Sequence, residues 1–158
     1  MTPIPKDPRR LVNPPPHLMD YDAARASFSW DEVAASLGVP LMGPLNLGGL
    51  AVERAPAERA ALVWLGAKGE EFTHTYGELR SLSGQFANAL KNLGVQRGDR
   101  VLFLLRPIPE LVAGVLGALR FGAVPSVLAS GRSIDYVRNI ASRTGAKVLV
   151  LEAESKKQ

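Results

Sequence analysis

The chain has 158 residues, 46% of them hydrophobic, and a formal net charge of +4, enough for one domain that buries roughly 68–70% of its unfolded surface. It contains no cysteine, which excludes a disulfide framework, a thiolate metal site and a thiol nucleophile, and fits a reducing, cytoplasmic setting. No apolar run reaches the roughly 18–20 residues of a membrane span, and Met1-Thr2-Pro3-Ile4-Pro5-Lys6 lacks the apolar stretch of a signal peptide, so a soluble protein is expected.

The distribution of charge argues against a nucleic-acid partner. Residues 1–45 carry four basic and five acidic groups, and residues 46–158 carry fifteen and ten. The basic excess is spread singly over Arg97, Arg100, Arg106, Arg120, Arg132, Arg138 and Arg143, with no basic helix face and no interleaving with aromatic residues.

Eight of the twelve prolines fall in the first 44 residues, including Pro14-Pro15-Pro16. Proline fixes φ and removes backbone donors, so residues 1–45 read as an extended Pro-rich lead-in with short helices. Ser29-Trp30-Asp31-Glu32 interrupts it as a capping box for a short helix that ends at Gly38. A second short helix is predicted after Asn46.

From residue 60 the pattern is regular. Ala61–Leu65 and Glu71–Thr75 read as two strands joined by Ala67-Lys68-Gly69-Glu70, a β-hairpin connection. Thr75-Tyr76-Gly77-Glu78 is a capping box, and Leu79, Leu82, Phe86, Ala89, Leu90 and Leu93 follow at helical spacing up to a stop at Gly94. Val101–Leu105, Ala123–Leu128 and Lys147–Leu151 are apolar strands, separated by helices over Pro109–Phe121 and Ser133–Thr144 that stop at Gly122 and Gly145. Strands apolar on both faces, alternating with helices, predict an α/β fold: a mostly parallel sheet with helices on both faces, preceded by a β-hairpin. Residues 152–158 form a polar tail, and no internal repeat is present. Gly98-Asp99-Arg100 lies between a helix stop and a buried strand, so it is expected to be a turn rather than an adhesion tripeptide or a phosphate-gripping loop.

Candidate chemistry is sparse. His17 and His74 have no paired His, Asp or Glu at ligand spacing, so no metal site is expected. Asp20 and Asp22 suit capping or surface roles better than acid/base work, and Trp30 and Trp64 are expected to anchor the core. The exception is Leu128-Ala129-Ser130-Gly131-Arg132-Ser133, where small residues between a parallel strand and a helix present N–H groups to an anion, with Arg132 and Arg138 adding charge. The segment matches neither Gly-x-Gly-x-x-Gly nor Gly-x-x-x-x-Gly-Lys-Ser/Thr, so a plain strand-to-helix connection is the competing reading.

Several stretches in fixed order carry a resemblance. Thr75-Tyr76-Gly77-Glu78-Leu79, Ala87-Asn88-Ala89-Leu90, Gly94-Val95-Gln96-Arg97-Gly98-Asp99-Arg100-Val101, Ile108-Pro109-Glu110, and Leu116-Gly117-Ala118 followed by Gly122-Ala123-Val124 together resemble the N-terminal part of AMP-forming acyl-CoA synthetases, in the acetyl-CoA and medium-chain branch. Phe28-Ser29-Trp30 ahead of Leu45-Asn46-Leu47 is similar to the opening of that branch, so the resemblance spans roughly residues 20–151. It implies the partial N-terminal domain of the adenylate-forming fold over residues 46–151. It further implies activation of a carboxylic acid by ATP and Mg2+ and transfer to coenzyme A. The family's phosphate loop, Tyr-Gly-x-Thr-Glu stretch, ribose-binding Asp and C-terminal Lys have no counterpart in these residues, so no catalytic residue is assigned and no adenylation by the chain alone is expected. In the acetate-type branch an Arg on the helix after the Ser-Val-Leu-Ala-Ser-Gly stretch is associated with the coenzyme A phosphates. Asn139 falls at that position with Arg138 one residue earlier, about 100° around the helix, and Arg132 is the alternative cofactor-binding residue. The implied partners are the remainder of a ligase or a second copy of the chain, and a non-catalytic assembly module is the alternative function.

Overall fold

The computed structural model describes residues 18 and 20–152. Pro14-Pro15-Pro16, His17 and the tail from residue 153 onward lie outside the described residues. Contacts divide the chain into two units, Met1–Leu45 and Asn46–Gln158.

The first unit contains two short helices, of which the sequence locates one. Helix α1 (Tyr21–Ser27) is capped by Asp20, whose carboxylate accepts from the Ala23 N–H at 3.0 Å. The prolines around it masked a capped, alanine-rich turn, which is sufficient for a short helix. Helix α2 (Trp30–Ser36) starts as predicted, with the Ser29 hydroxyl accepting from the Glu32 N–H at 3.4 Å, although the returning Glu32 arm of the box is not formed. Trp30 is not a core anchor: it is 67% exposed and meets Phe28 edge-to-face, ring centroids 4.9 Å apart.

The second unit opens with α3 (Leu47–Glu53), capped by Asn46. Strands β1 (Ala60–Leu65) and β2 (Glu71–Thr75) pair antiparallel as their own two-stranded sheet. Trp64, half-buried, faces Phe72 across the hairpin and donates its indole N–H to the Pro107 carbonyl at 2.8 Å. Helix α4 (Tyr76–Asn92) begins at the predicted capping box, with both arms formed between Thr75 and Glu78. The Thr75 N–H, more than any other neighbour, holds the Glu78 carboxyl below the ordinary glutamate range. His74 lies 3.8 Å from the same carboxylate, a partner that ligand-spacing rules did not anticipate.

Three parallel strands follow, β3 (Arg100–Leu104), β4 (Val124–Val127) and β5 (Val148–Leu151), in the spatial order β4-β3-β5. Helix α5 (Pro109–Phe121) links β3 to β4, and α6 (Ile134–Thr144) links β4 to β5. Alternation along β3 assigns the two faces. Val101 and Phe103 join Leu90, Val95 and Ala118 in the main core under α4 and α5, whereas Leu104 lines a cleft on the other side together with Val137 of α6, Leu149 and Leu151. Val101, Leu102 and Phe103 bury both faces of β3, whereas Val124 and Val127 of β4 are 46% and 53% exposed. Among the described residues no strand pairs with the outer edge of β4 or of β5, so each of the two keeps one open edge.

Gly98-Asp99-Arg100 is the predicted turn, and it ties four elements together. Gly98 takes φ +85°, and its N–H donates to the Gly122 carbonyl at 2.9 Å. The Asp99 carboxylate accepts from the Gln96 N–H, its carbonyl accepts from the Val124 N–H, and the Arg100 guanidinium donates to the Thr144 carbonyl at the end of α6.

Helix α5 packs through Ala113, Gly114, Gly117 and Ala118, all buried and one helical turn apart in pairs. A Cβ at position 117 would lie 2.6 Å from the Ser83 carbonyl oxygen of α4, a backbone atom that cannot step aside. Gly117→Ala gains helix propensity of about 1 kcal/mol, yet it is expected to destabilise the fold by about 1–3 kcal/mol through overpacking. The measurement is the urea unfolding midpoint, which falls in the variant; an unchanged or higher midpoint would show that the α4–α5 contact has slack.

Candidate functional site at the carboxyl ends of the parallel strands

From β3 the chain crosses to β4 on one side, then passes back over β3 to reach β5 on the other, so the direction of winding reverses between β3 and β5. In open α/β sheets ligands bind outside the carboxyl ends of the strands at such a reversal, because the two connecting loops part there and leave a crevice. A cleft of about 380 Å³ lies at this place. Its floor is Leu104, Leu149, Leu151 and Val137, and its rim is Arg106, Glu152 and the Ser130-Gly131-Arg132 turn.

The turn between β4 and α6 is built for an open approach. Gly131 has φ +79°, and a Cβ there would meet nothing within 4 Å, so the loop backbone stands clear of the protein. The Ser133 hydroxyl caps α6 by accepting from the Tyr136 N–H at 3.3 Å. Arg132 sits over the Tyr136 ring, its guanidinium carbon 5.3 Å from the ring centroid, and among the described residues it has no carboxylate partner. Arg138 takes a different course: it is exposed on α6, pairs with Asp135 at 2.7 Å and does not line the cleft. The structure therefore separates the two arginines that the sequence grouped.

Arg106 and Glu152 were not singled out by the sequence. One Glu152 carboxylate oxygen accepts from the Arg106 backbone N–H at 2.7 Å, and both oxygens accept from its Nε, at 3.1 and 2.9 Å. The pair fastens the end of β3 to the end of β5, with Arg106 two residues and Glu152 one residue beyond the last strand partners Leu104 and Leu151. The available signal was an arginine and a glutamate each directly ending an apolar strand, but strand order is needed to bring them together.

The cleft can take an anion. It offers the guanidinium groups of Arg106 and Arg132, loop N–H groups at the start of an 11-residue helix, and one carboxylate already committed to Arg106. Its charged groups are two guanidiniums and one carboxylate already paired, a set suited to holding an anion.

Comparison with known proteins bears on what kind of site this is. The AMP-binding enzyme family matches residues 50–158. Acetyl-coenzyme A synthetase of Rubrobacter xylanophilus is 36% identical over 124 residues, 77% of this chain and 19% of that protein. The 3-hydroxybenzoate–CoA ligase of an Aromatoleum species is 44% identical over 80 residues, 51% of this chain and 15% of its own length. The crystal structure of a Brucella canis acyl-CoA synthetase superposes with a TM-score of 0.81 at 30% identity, covering 89% of this chain and 26% of that one. The fold is thus that of the adenylate-forming acyl-CoA synthetases, and the chain belongs to the AMP-binding enzyme family as an N-terminal portion of that architecture. It spans only about a seventh to a fifth of the curated relatives it matches.

The Arg106 N–H, followed by its side chain, holds the Glu152 carboxyl below the ordinary glutamate range. A carboxyl lowered on folding stabilises the native state at neutral pH and loses that contribution as pH falls through the ordinary range to its lowered value. The Glu152 side-chain carbon resonance is expected to titrate below an unstructured glutamate. Glu152→Gln is expected to lower stability at neutral pH and to flatten its decline in acid; an ordinary midpoint would contradict the contact.

Proposed function

We propose that these residues serve an AMP-forming acyl-CoA synthetase, an enzyme that activates a short- or medium-chain carboxylic acid with ATP and Mg2+ and passes the acyl group to coenzyme A. In this reading the cleft beside Ser130-Gly131-Arg132 receives phosphate groups of coenzyme A, with Arg132 as the cationic contact and Arg138, on the outer side of α6, as the more remote one. The cofactor supplies the thiol that accepts the acyl group. The chain's own residues supply charge, loop N–H groups and an apolar floor. The observation that carries the proposal is an anion-ready cleft at the winding reversal of a chain belonging to this family. The 158 residues alone are proposed not to adenylate, because the Ser/Thr/Gly-rich phosphate loop and the later motifs implied by the resemblance are not among them.

Two measurements test this. ATP–pyrophosphate exchange with short- and medium-chain acids is expected to give no turnover by the chain alone, and robust turnover would overturn that part. Coenzyme A added to the ¹⁵N-labelled chain is expected to shift the Ser130, Gly131 and Arg132 amides, and Arg132→Gln to weaken that binding by about fivefold or more, as loss of a charge-assisted contact does.

A second reading has its own support. Strands β4 and β5 both end the sheet among the described residues, and unpaired edge groups favour association. A non-catalytic module that joins a separately encoded adenylate-forming partner, or a second copy, would use such an edge. Sedimentation as a lone monomer together with no co-purifying adenylate-forming protein would count against it.

A further inference from the structure

The Arg106–Glu152 pair differs from an ordinary surface salt bridge in its geometry. Glu152 is mostly enclosed, its side chain 16% exposed, whereas the Arg106 side chain is 65% exposed at the rim of the cleft. Among the described residues the carboxylate engages the backbone N–H and Nε of Arg106 and no other donor. Among the described residues neither terminal guanidinium nitrogen has a hydrogen-bond partner. A guanidinium held by its Nε keeps its outer fork of donors for another group, and that fork matches two oxygens of a phosphate. Arg132 supplies a second guanidinium on the same cleft, so the net charge facing a ligand is positive even with Glu152 counted.

We propose that Arg106 is a binding residue of this cleft for a phosphate-bearing ligand, and that Glu152 is its positioning residue, fixing the guanidinium at the rim through Nε while leaving the terminal nitrogens to the ligand. This rests on the reading of the cleft as the phosphate site and adds two residues to it. Pre-orientation is the physical gain. A free arginine surrenders several rotatable bonds when it binds an anion, and one already held against a carboxylate has lost them on folding.

The proposal makes a prediction of opposite sign to simple electrostatics. Removing a negative charge from the edge of an anion site ordinarily tightens anion binding. If Glu152 positions Arg106, Glu152→Gln weakens it instead, because the neutral amide no longer holds the guanidinium. The experiment titrates the ¹⁵N-labelled full chain with coenzyme A and, separately, with AMP, following cleft amides and the Arg106 Nε–H signal. In the wild-type protein the Nε–H is expected to be resolved and slow to exchange. Glu152→Gln is expected to lose that protection and to weaken binding by about fivefold or more, and Arg106→Gln to weaken it at least as much. Thermal unfolding of each variant checks that it is folded; should Glu152→Gln unfold, Arg106→Lys, which keeps the charge and loses the fork, carries the test with the same expected loss.

Binding by Glu152→Gln that equals or exceeds the wild type overturns the positioning role and leaves the cleft reading standing. No response of the wild-type cleft to either compound overturns the cleft reading and the role of Arg106 with it. A response to AMP and not to coenzyme A, abolished in Arg106→Gln, supports Arg106 and overturns coenzyme A as the source of the phosphate.

Discussion

The structure of the second unit depends on how closely backbone can approach backbone around α5. Gly48 of α3 sits where a Cβ would be 2.6 Å from both the Arg120 nitrogen and the Leu116 carbonyl oxygen, and Gly117 sits equally close to the Ser83 carbonyl oxygen of α4. Gly114 leaves room for the ring of Phe103, which is fully buried in β3. Helices α3 and α4 therefore rest on α5 with backbone close to backbone, β3 meets it through the Phe103 ring, and Phe86 and Leu90 fill the space beside them. The Arg120 guanidinium closes the arrangement by donating to the Arg80 carbonyl, the Ser83 hydroxyl and Glu53, joining α3, α4 and α5. In a core packed at crystal-like density such contacts have little tolerance, so they fix where α5 lies and hence where β3 must run beneath it.

That fixed strand sets the cleft. With β3 held under α5, the Gly98-Asp99-Arg100 turn joins its start to β4 and to the end of α6, and the Glu152 carboxylate joins its end to β5. The strand is thus tied at both ends by polar contacts and along its length by apolar ones. Arg106 emerges directly after the tie, and Ser130-Gly131-Arg132 emerges after the neighbouring strand. Neither side chain is placed by a long loop, which is the condition for a binding group to keep its geometry.

Much of this was legible because it is local. Glycines at helix ends, hydroxyl and carboxylate caps and apolar runs act within a few residues, so the hairpin, α4, α5, α6 and the three parallel strands lie within a residue or two of their expected places. Failures came where the deciding partner is distant or where one local signal hid another. Proline density obscured α1, although Asp20 caps it in the ordinary way. Trp30 was assigned to the core by size, yet its neighbour is Phe28 and its remaining surface is open. The site was half visible: Ser130-Gly131-Arg132 reads as a loop between strand and helix, but Arg106 and Glu152 are 46 residues apart. Only the β4-β3-β5 order, which no local pattern encodes, brings them together. Helical position likewise sets the two arginines apart: Arg132 stands before α6 and lines the cleft, and Arg138 lies along the helix with Asp135.

The two edges of the parallel sheet are not equivalent, and the difference bears on the cleft. Strand β4 contains Pro125, which removes one backbone donor and is a common way to blunt an edge. Strand β5, Val148-Leu149-Val150-Leu151, has no such interruption and alternates branched residues suited to further pairing. It also supplies Leu149, Leu151 and Glu152 to the cleft. A strand added to the open edge of β5 would therefore lie beside the wall of the cleft that carries Arg106 and Glu152. The edge and the cleft share Glu152: the residue that follows β5 also accepts from the backbone N–H and the Nε of Arg106 at the rim.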